Sequence, residues 1–119
     1  MKKPLLVLPL AFVAAMPAHA TGGLVCRTAG QNSVEVSVAF GHAPGAPLLA
    51  DATRLLDNGR NIPVTASQWW LDDQELRLLL ADPNAMRREL ILKAKRNGHF
   101  YDGNIWRSGQ RRWVRCREG

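Results

Sequence analysis

Apolar and polar residues alternate with a period of two along this chain, and two-residue turn signals cut the pattern at intervals. That combination constrains the fold more than any other feature, because it requires short antiparallel strands in place of helices. In Val34 to Phe40, the side chains of Val34, Val36, Val38 and Phe40 share one face, while Glu35 and Ser37 take the other. Leu24 to Thr28 reads as a strand ahead of it, and Gly41 to Pro47 as a Gly/Pro loop behind it. Ala52 to Leu56 and Asn61 to Thr65 flank Asn58-Gly59, a pair that tolerates positive φ at both turn positions. Pro63 has no N–H to give a ladder and restricts the second of these strands to an edge or a bulge. Ser67 to Leu71 and Glu75 to Leu80 flank a polar turn at Asp72-Asp73. Asp82-Pro83-Asn84 then breaks the chain, and one helical turn is expected over residues 84–88.

The C-terminal third predicts a three-stranded meander, Glu89–Arg96, His99–Arg107 and Gln110–Arg117. Two-residue turns at Asn97-Gly98 and Ser108-Gly109 set its register. The first pairs Leu90 with Ile105, Leu92 with Gly103 and Ala94 with Tyr101. The second pairs Ile105 with Arg112, Gly103 with Val114 and Tyr101 with Cys116. Both registers place Leu90, Leu92, Ala94, Tyr101, Ile105, Val114 and Cys116 on one face, and a slip of one residue would turn every side chain over. That face is the expected core, with Arg112 its one charged member and Gly103 leaving room for a bulky neighbour. The opposite face carries Ile91, Lys93, Lys95, Phe100, Asp102, Asn104, Trp106, Arg111, Trp113 and Arg115. On it Lys93, Asp102 and Arg115 are expected to form a cross-strand row, and Arg111 to stack on Trp106.

Two cysteines, Cys26 and Cys116, lie near opposite ends of the pattern. Two permit only one intramolecular bridge, which joins the first strand to the last and closes the fold. Residues 1–20 have the anatomy of an export signal: Lys2 and Lys3, the short apolar stretch Leu5 to Ala15, and Ala18-His19-Ala20. The stretch is too short for a permanent membrane anchor. The expected organisation is a signal peptide over residues 1–20 and one β domain over residues 21–119, periplasmic or secreted, with no transmembrane segment in the mature chain. The expected fold is all-β, a small antiparallel barrel or sandwich of about 7–8 strands.

Charge is unevenly spread. Residues 21–86 hold 4 basic and 7 acidic residues, a net of −3, while residues 87–119 hold 10 basic and 3 acidic, a net of +7. The basic third raises the local concentration of anionic partners without selecting one. Within it, Trp106 and Trp113 offer planes for stacking, and Lys93, Lys95, Arg111 and Arg115 offer charge for phosphate or carboxylate. These six are the candidate ligand-binding residues. Their expected partner is an anionic envelope component or glycan, or else an exported protein; no specific nucleic acid partner is implied.

Other clusters carry less chemistry. Trp69 and Trp70 are adjacent, so a strand sends one to the core and the other outward, to cover an edge or contribute to a partner surface. Asp72, Asp73 and Glu75 lack the glycine and spacing of a calcium loop and read as a solvated turn. With both cysteines in the bridge, no thiolate metal site remains, and no cofactor motif occurs. His42, His99 and Lys95 form the one constellation that a small basic secreted ribonuclease would use for acid–base transfer, although nothing in their spacing brings them together. Non-enzymatic binding is the first expectation and this enzyme the third.

The second expectation comes from a resemblance. Through Cys26-Arg27-Thr28-Ala29-Gly30, the alternating Val34 to Phe40 and the late Cys116, the chain resembles periplasmic inhibitors of C-type lysozyme. That resemblance implies a small β-barrel with comparable cysteine placement and an inhibitor or immunity role against an exported enzyme. The inhibitory Ser-Gly-x-x-Tyr loop of that family has no counterpart here. Ser108-Gly109 is followed by Gln110-Arg111-Arg112-Trp113, and a net positive chain is a poor electrostatic match for a basic lysozyme.

Overall fold

The computed structural model describes residues 22–40 and 52–119. The expected signal peptide and the loop from Gly41 to Pro47, with His42, lie outside them. Among the described residues nine strands make one curled antiparallel sheet, a half-barrel: β1 Gly22–Thr28, β2 Val34–Phe40, β3 Arg54–Asp57, β4 Arg60–Ile62, β5 Thr65–Leu71, β6 Glu75–Ala81, β7 Arg88–Asn97, β8 Phe100–Arg107 and β9 Gln110–Glu118. Their order is β4-β3-β2-β1-β9-β8-β7-β6-β5, so the strand count exceeds the expected one and there is one rolled layer where a sandwich has two. Among the described residues no helix is long and apolar enough to cross a membrane.

β1 and β9 lie side by side at the centre, and Cys26 faces Cys116 across their seam in a disulfide, 90 positions apart in the chain. The alternating residues of β1, β2, β3, β6, β7, β8 and β9 fill the concave side. Leu55, Leu76, Leu80, Leu90, Leu92, Ile105, Val36 and Val114 are fully buried there, each large side chain contributing about 1.5–3 kcal/mol by leaving water. The meander core is thus the face that alternation assigned.

The turns explain both the agreement and the one slip. Asn58-Gly59 and Ser108-Gly109 have positive φ at both positions, the mirror-image turn whose twist matches paired strands. The β8–β9 register therefore agrees with expectation at Ile105↔Arg112, Gly103↔Val114 and Tyr101↔Cys116. Between β7 and β8 the turn residues are Gly98-His99, with only Gly98 left-handed at φ 64°, and Asn97 pairs with Phe100. Glycine in the first turn position suits the other favoured hairpin turn. It frees Asn97 to remain in the strand, where its side-chain amide donates to Asp102 Oδ2 at 2.8 Å. The register consequently moves by two residues, to Leu92↔Ile105 and Ala94↔Gly103. A shift of two keeps every side chain on its face.

Gly103 does not make room for a bulky neighbour. A Cβ placed there would lie 1.9 Å from the Lys93 carbonyl oxygen and 2.6 Å from the Ala94 Cα, so the two backbones meet where a side chain would stand. The expected helical turn at 84–88 is also absent. Asp82 organises that segment as an irregular turn, its Oδ1 accepting the N–H groups of Met86 and Arg87 at 2.7 Å each.

Two arginines stopper one end of the half-barrel. Arg107, at the end of β8, donates from Nε to Asp57 Oδ2 of β3 at 2.8 Å and from Nη1 to Glu89 Oε1 at 3.1 Å. It thereby links strands that the sheet order separates by three others. Arg112, the charged member of the core face, donates to the Asn32 and Ala29 carbonyls of the β1–β2 turn at 2.9 and 3.4 Å.

Candidate functional site

Every strand from β5 to β9 sends its alternate side chains to the convex face, and cross-strand pairing arranges them in three rows. The first runs Gln68, Leu79, Ile91, Trp106, Arg111; the second runs Trp70, Arg77, Lys93, Asn104, Trp113. The third runs Glu75, Lys95, Asp102, Arg115 and continues through Arg27 of β1 to Glu35 of β2.

The third row is electrostatically closed. Asp102 accepts from Arg115 Nε at 2.7 Å and from its Nη2 at 2.9 Å. Those bonds, with help from Asn97 and against the cost of burial, hold the Asp102 carboxyl below the usual aspartate range. The same pairing raises the Arg115 guanidinium pKa. Arg115 is further wedged between aromatic rings, 4.2 Å from the Phe100 centroid and 5.4 Å from that of Trp113. Because of the register shift it is Lys95, not Lys93, that lies across from Asp102.

The first two rows contain no carboxylate at all. They hold three indoles, Trp70, Trp106 and Trp113, exposed to 49%, 37% and 51%, and three cations, Arg77, Lys93 and Arg111. Each indole has a cation over its ring: Arg77 at 5.6 Å from Trp70, Lys93 at 5.8 Å from Trp106 and Arg115 at 5.4 Å from Trp113. Lys93 thus takes the place over Trp106 expected of Arg111. Among the described residues Lys93, Lys95, Arg88 and Arg111 join no ion pair, and the one partner of Arg77 is Glu75 at 3.6 Å. A shallow depression of about 430 Å³ lies between Trp70 and Lys93, floored by Leu79 and Ile91 and flanked by Arg77 and Arg88.

The structure therefore divides the six candidate residues. Lys93, Trp106, Arg111 and Trp113 stand together in the acid-free rows, whereas Lys95 and Arg115 belong to the compensated row. It adds Arg77, which sequence reasoning missed, and Trp70, which the sequence offered for a partner surface without tying it to these rows. Neither Trp69 nor Trp70 enters the core: a bulge between Ala66 and Gln68 sets the end of β5, and at this sheet edge even Trp69, on the concave side, stays 39% exposed. Trp70 Nε1 donates to Asp72 Oδ2 at 2.9 Å, and Asp72 Oδ1 accepts the Gln74 and Glu75 N–H groups at 2.8 Å, so this carboxylate organises its turn. Among the described residues no group of three potential metal ligands occurs. His99 is exposed in the β7–β8 turn, and His42 lies outside the described residues. No protein-family model, curated protein or solved structure matches the chain.

Proposed function

We propose that this is a non-enzymatic binding protein that works outside the cytoplasm and recognises an anionic envelope component or glycan through its convex sheet face. One observation carries the reading: two adjacent rows that combine three exposed indoles with three cations and exclude every carboxylate. Exposed aromatic surface in contiguous patches marks interaction sites on soluble proteins. The indoles supply planes for a ring, and Lys93 and Arg111, which join no ion pair among the described residues, keep their charge available for a bound anion. The signal-like residues 1–20 and the Cys26–Cys116 bridge support an oxidising compartment.

Titration of the indole fluorescence with dextran sulfate and with lipopolysaccharide tests the proposal. At least one should bind, with affinity falling steeply between about 50 and about 500 mM salt. Replacing Lys93 and Arg111 together by glutamine should weaken it about tenfold or more, with an unchanged unfolding midpoint. Binding indifferent to salt and to both substitutions would reject the reading.

A further inference from the structure

Resting on that reading, we infer that the ligand is a linear acidic polysaccharide lying across the strands, along the row from Trp70 over Arg77 and Lys93 to Trp113. Strands in a sheet lie about 4.8 Å apart, so the four steps from β5 to β9 separate the two outer tryptophans by about 19 Å along the sheet. That is the reach of a chain molecule, and the residues between them are two cations and an amide. The path is bounded on one side by the compensated row, where a ligand acid would have to compete with Asp102 for Arg115. On the other side Leu79, Ile91 and Trp106 provide an apolar shoulder.

Curvature decides between a chain and a plane. The sheet is rolled with these side chains outward, so Trp70 and Trp113 point in diverging directions. A flat bilayer touches one of them at a time; a flexible polymer can follow the curve and touch both. The position of the cations decides between a sugar chain and a nucleic acid strand. Trp70 and Trp106 each have a cation outside the compensated row within 6 Å of the ring centre, Arg77 at 5.6 Å and Lys93 at 5.8 Å, while the cation beside Trp113, Arg115, is held by Asp102. An acid that meets Arg77 or Lys93 is therefore best carried on the stacked ring itself, as in a uronic acid or a sulfated sugar. In a single-stranded nucleic acid the charge runs on a separate backbone, which proteins track with a positive groove. Here the surface is convex and the cations are interleaved with the indoles.

The test uses the oxidised protein and heparin-derived oligosaccharides of increasing length. Affinity should rise with length until the row is spanned and then level off. Trp70→Ala and Arg77→Gln should each weaken binding of the longest oligosaccharide about tenfold, yet leave the shortest, held near Trp106 and Trp113, unchanged. An affinity independent of length, or a Trp70→Ala protein equal to the wild type at every length, would overturn the inference. So would tighter binding of phosphatidylglycerol vesicles or of oligo(dT) than of any oligosaccharide. Absence of binding to oligosaccharides, dextran sulfate and lipopolysaccharide alike would instead remove the underlying binding reading. Arg77→Gln guards against a folding defect in the tryptophan variant, because the Arg77 side chain is exposed and its ion pair with Glu75 is long.

Discussion

Asp102 grips Arg115 with two parallel hydrogen bonds, 2.7 and 2.9 Å long, across the β8–β9 ladder. The aspartate pKa is depressed in the folded state, chiefly by Arg115 and then by Asn97. A carboxylate of this kind adds stability at pH values above its unfolded pKa, about 3.9, and that contribution is lost as the pH falls through the folded value. Asp102→Asn should therefore lower the urea midpoint at pH 7, with the difference from wild type closing as the pH falls through the depressed folded-state pKa. A gap of constant size down to acid pH would show that the carboxylate charge is not what the pair contributes. The substitution also frees Arg115, so its effect on binding reports whether the compensated row excludes ligand.

Gly103 should be among the least replaceable residues in the sheet. A methyl group there overlaps the Lys93 carbonyl and the Ala94 backbone, neither of which is a flexible side-chain tip. Gly103→Ala is expected to cost about 3 kcal/mol or to prevent folding. Gly109→Ala is the comparison: its Cβ meets nothing within 4 Å, and only the left-handed φ of 77° is penalised, by about 1 kcal/mol. Urea unfolding followed by tryptophan fluorescence separates the two, and equal small losses would refute the close approach.

Arg107 and Arg112 both stopper one end of the half-barrel, but only Arg107 compensates charge. Its side chain and that of Glu89 are 13% and 12% exposed, so removing the guanidinium leaves Glu89, in a poorly solvated place, with the more exposed Arg87 at 3.1 Å as its remaining ion-pair partner and deprives Asp57 of its own. Arg107→Met should cost about 2 kcal/mol. Arg112→Met, which gives up hydrogen bonds to carbonyls of an exposed turn, should cost about 1 kcal/mol. A double-mutant cycle with Glu89→Gln should show coupling of about 1 kcal/mol or more, and its absence would mean that the arginine acts through packing alone.

What the chain discloses before folding follows from the range of each signal. Alternation and two-residue turns are local, so Ser108-Gly109 yielded the β8–β9 pairs residue for residue and the core face of the meander came out whole. The tripeptide Asn97-Gly98-His99 holds two overlapping hairpin turns, and local sequence alone does not say that Asn97 prefers Asp102 to a turn position. That choice moved Lys93 next to Trp106 and handed Asp102 to Lys95. The place of Trp70 and Arg77 in these rows was illegible for a different reason. The turn at Asp72-Asp73 announces their hairpin, but they join the site only because β6 docks on β7 across the irregular turn at Asp82, a pairing that no two-residue turn signal encodes. Arg107 likewise reaches Asp57, 50 positions away, through the curl of the sheet.

The neighbourhood of β1 and β9 sets the timing of assembly. β1 acquires its second flank only when Gln110–Glu118 arrives, after the other eight described strands have been synthesised. Until then β1–β4 and β5–β8 are two four-stranded ribbons, each with a bare long edge of the sort that invites illegitimate pairing. A chain cut short before Gln110 loses at one stroke the strand that unites the ribbons and the thiol that Cys26 awaits, so the seam and its covalent lock stand or fall together.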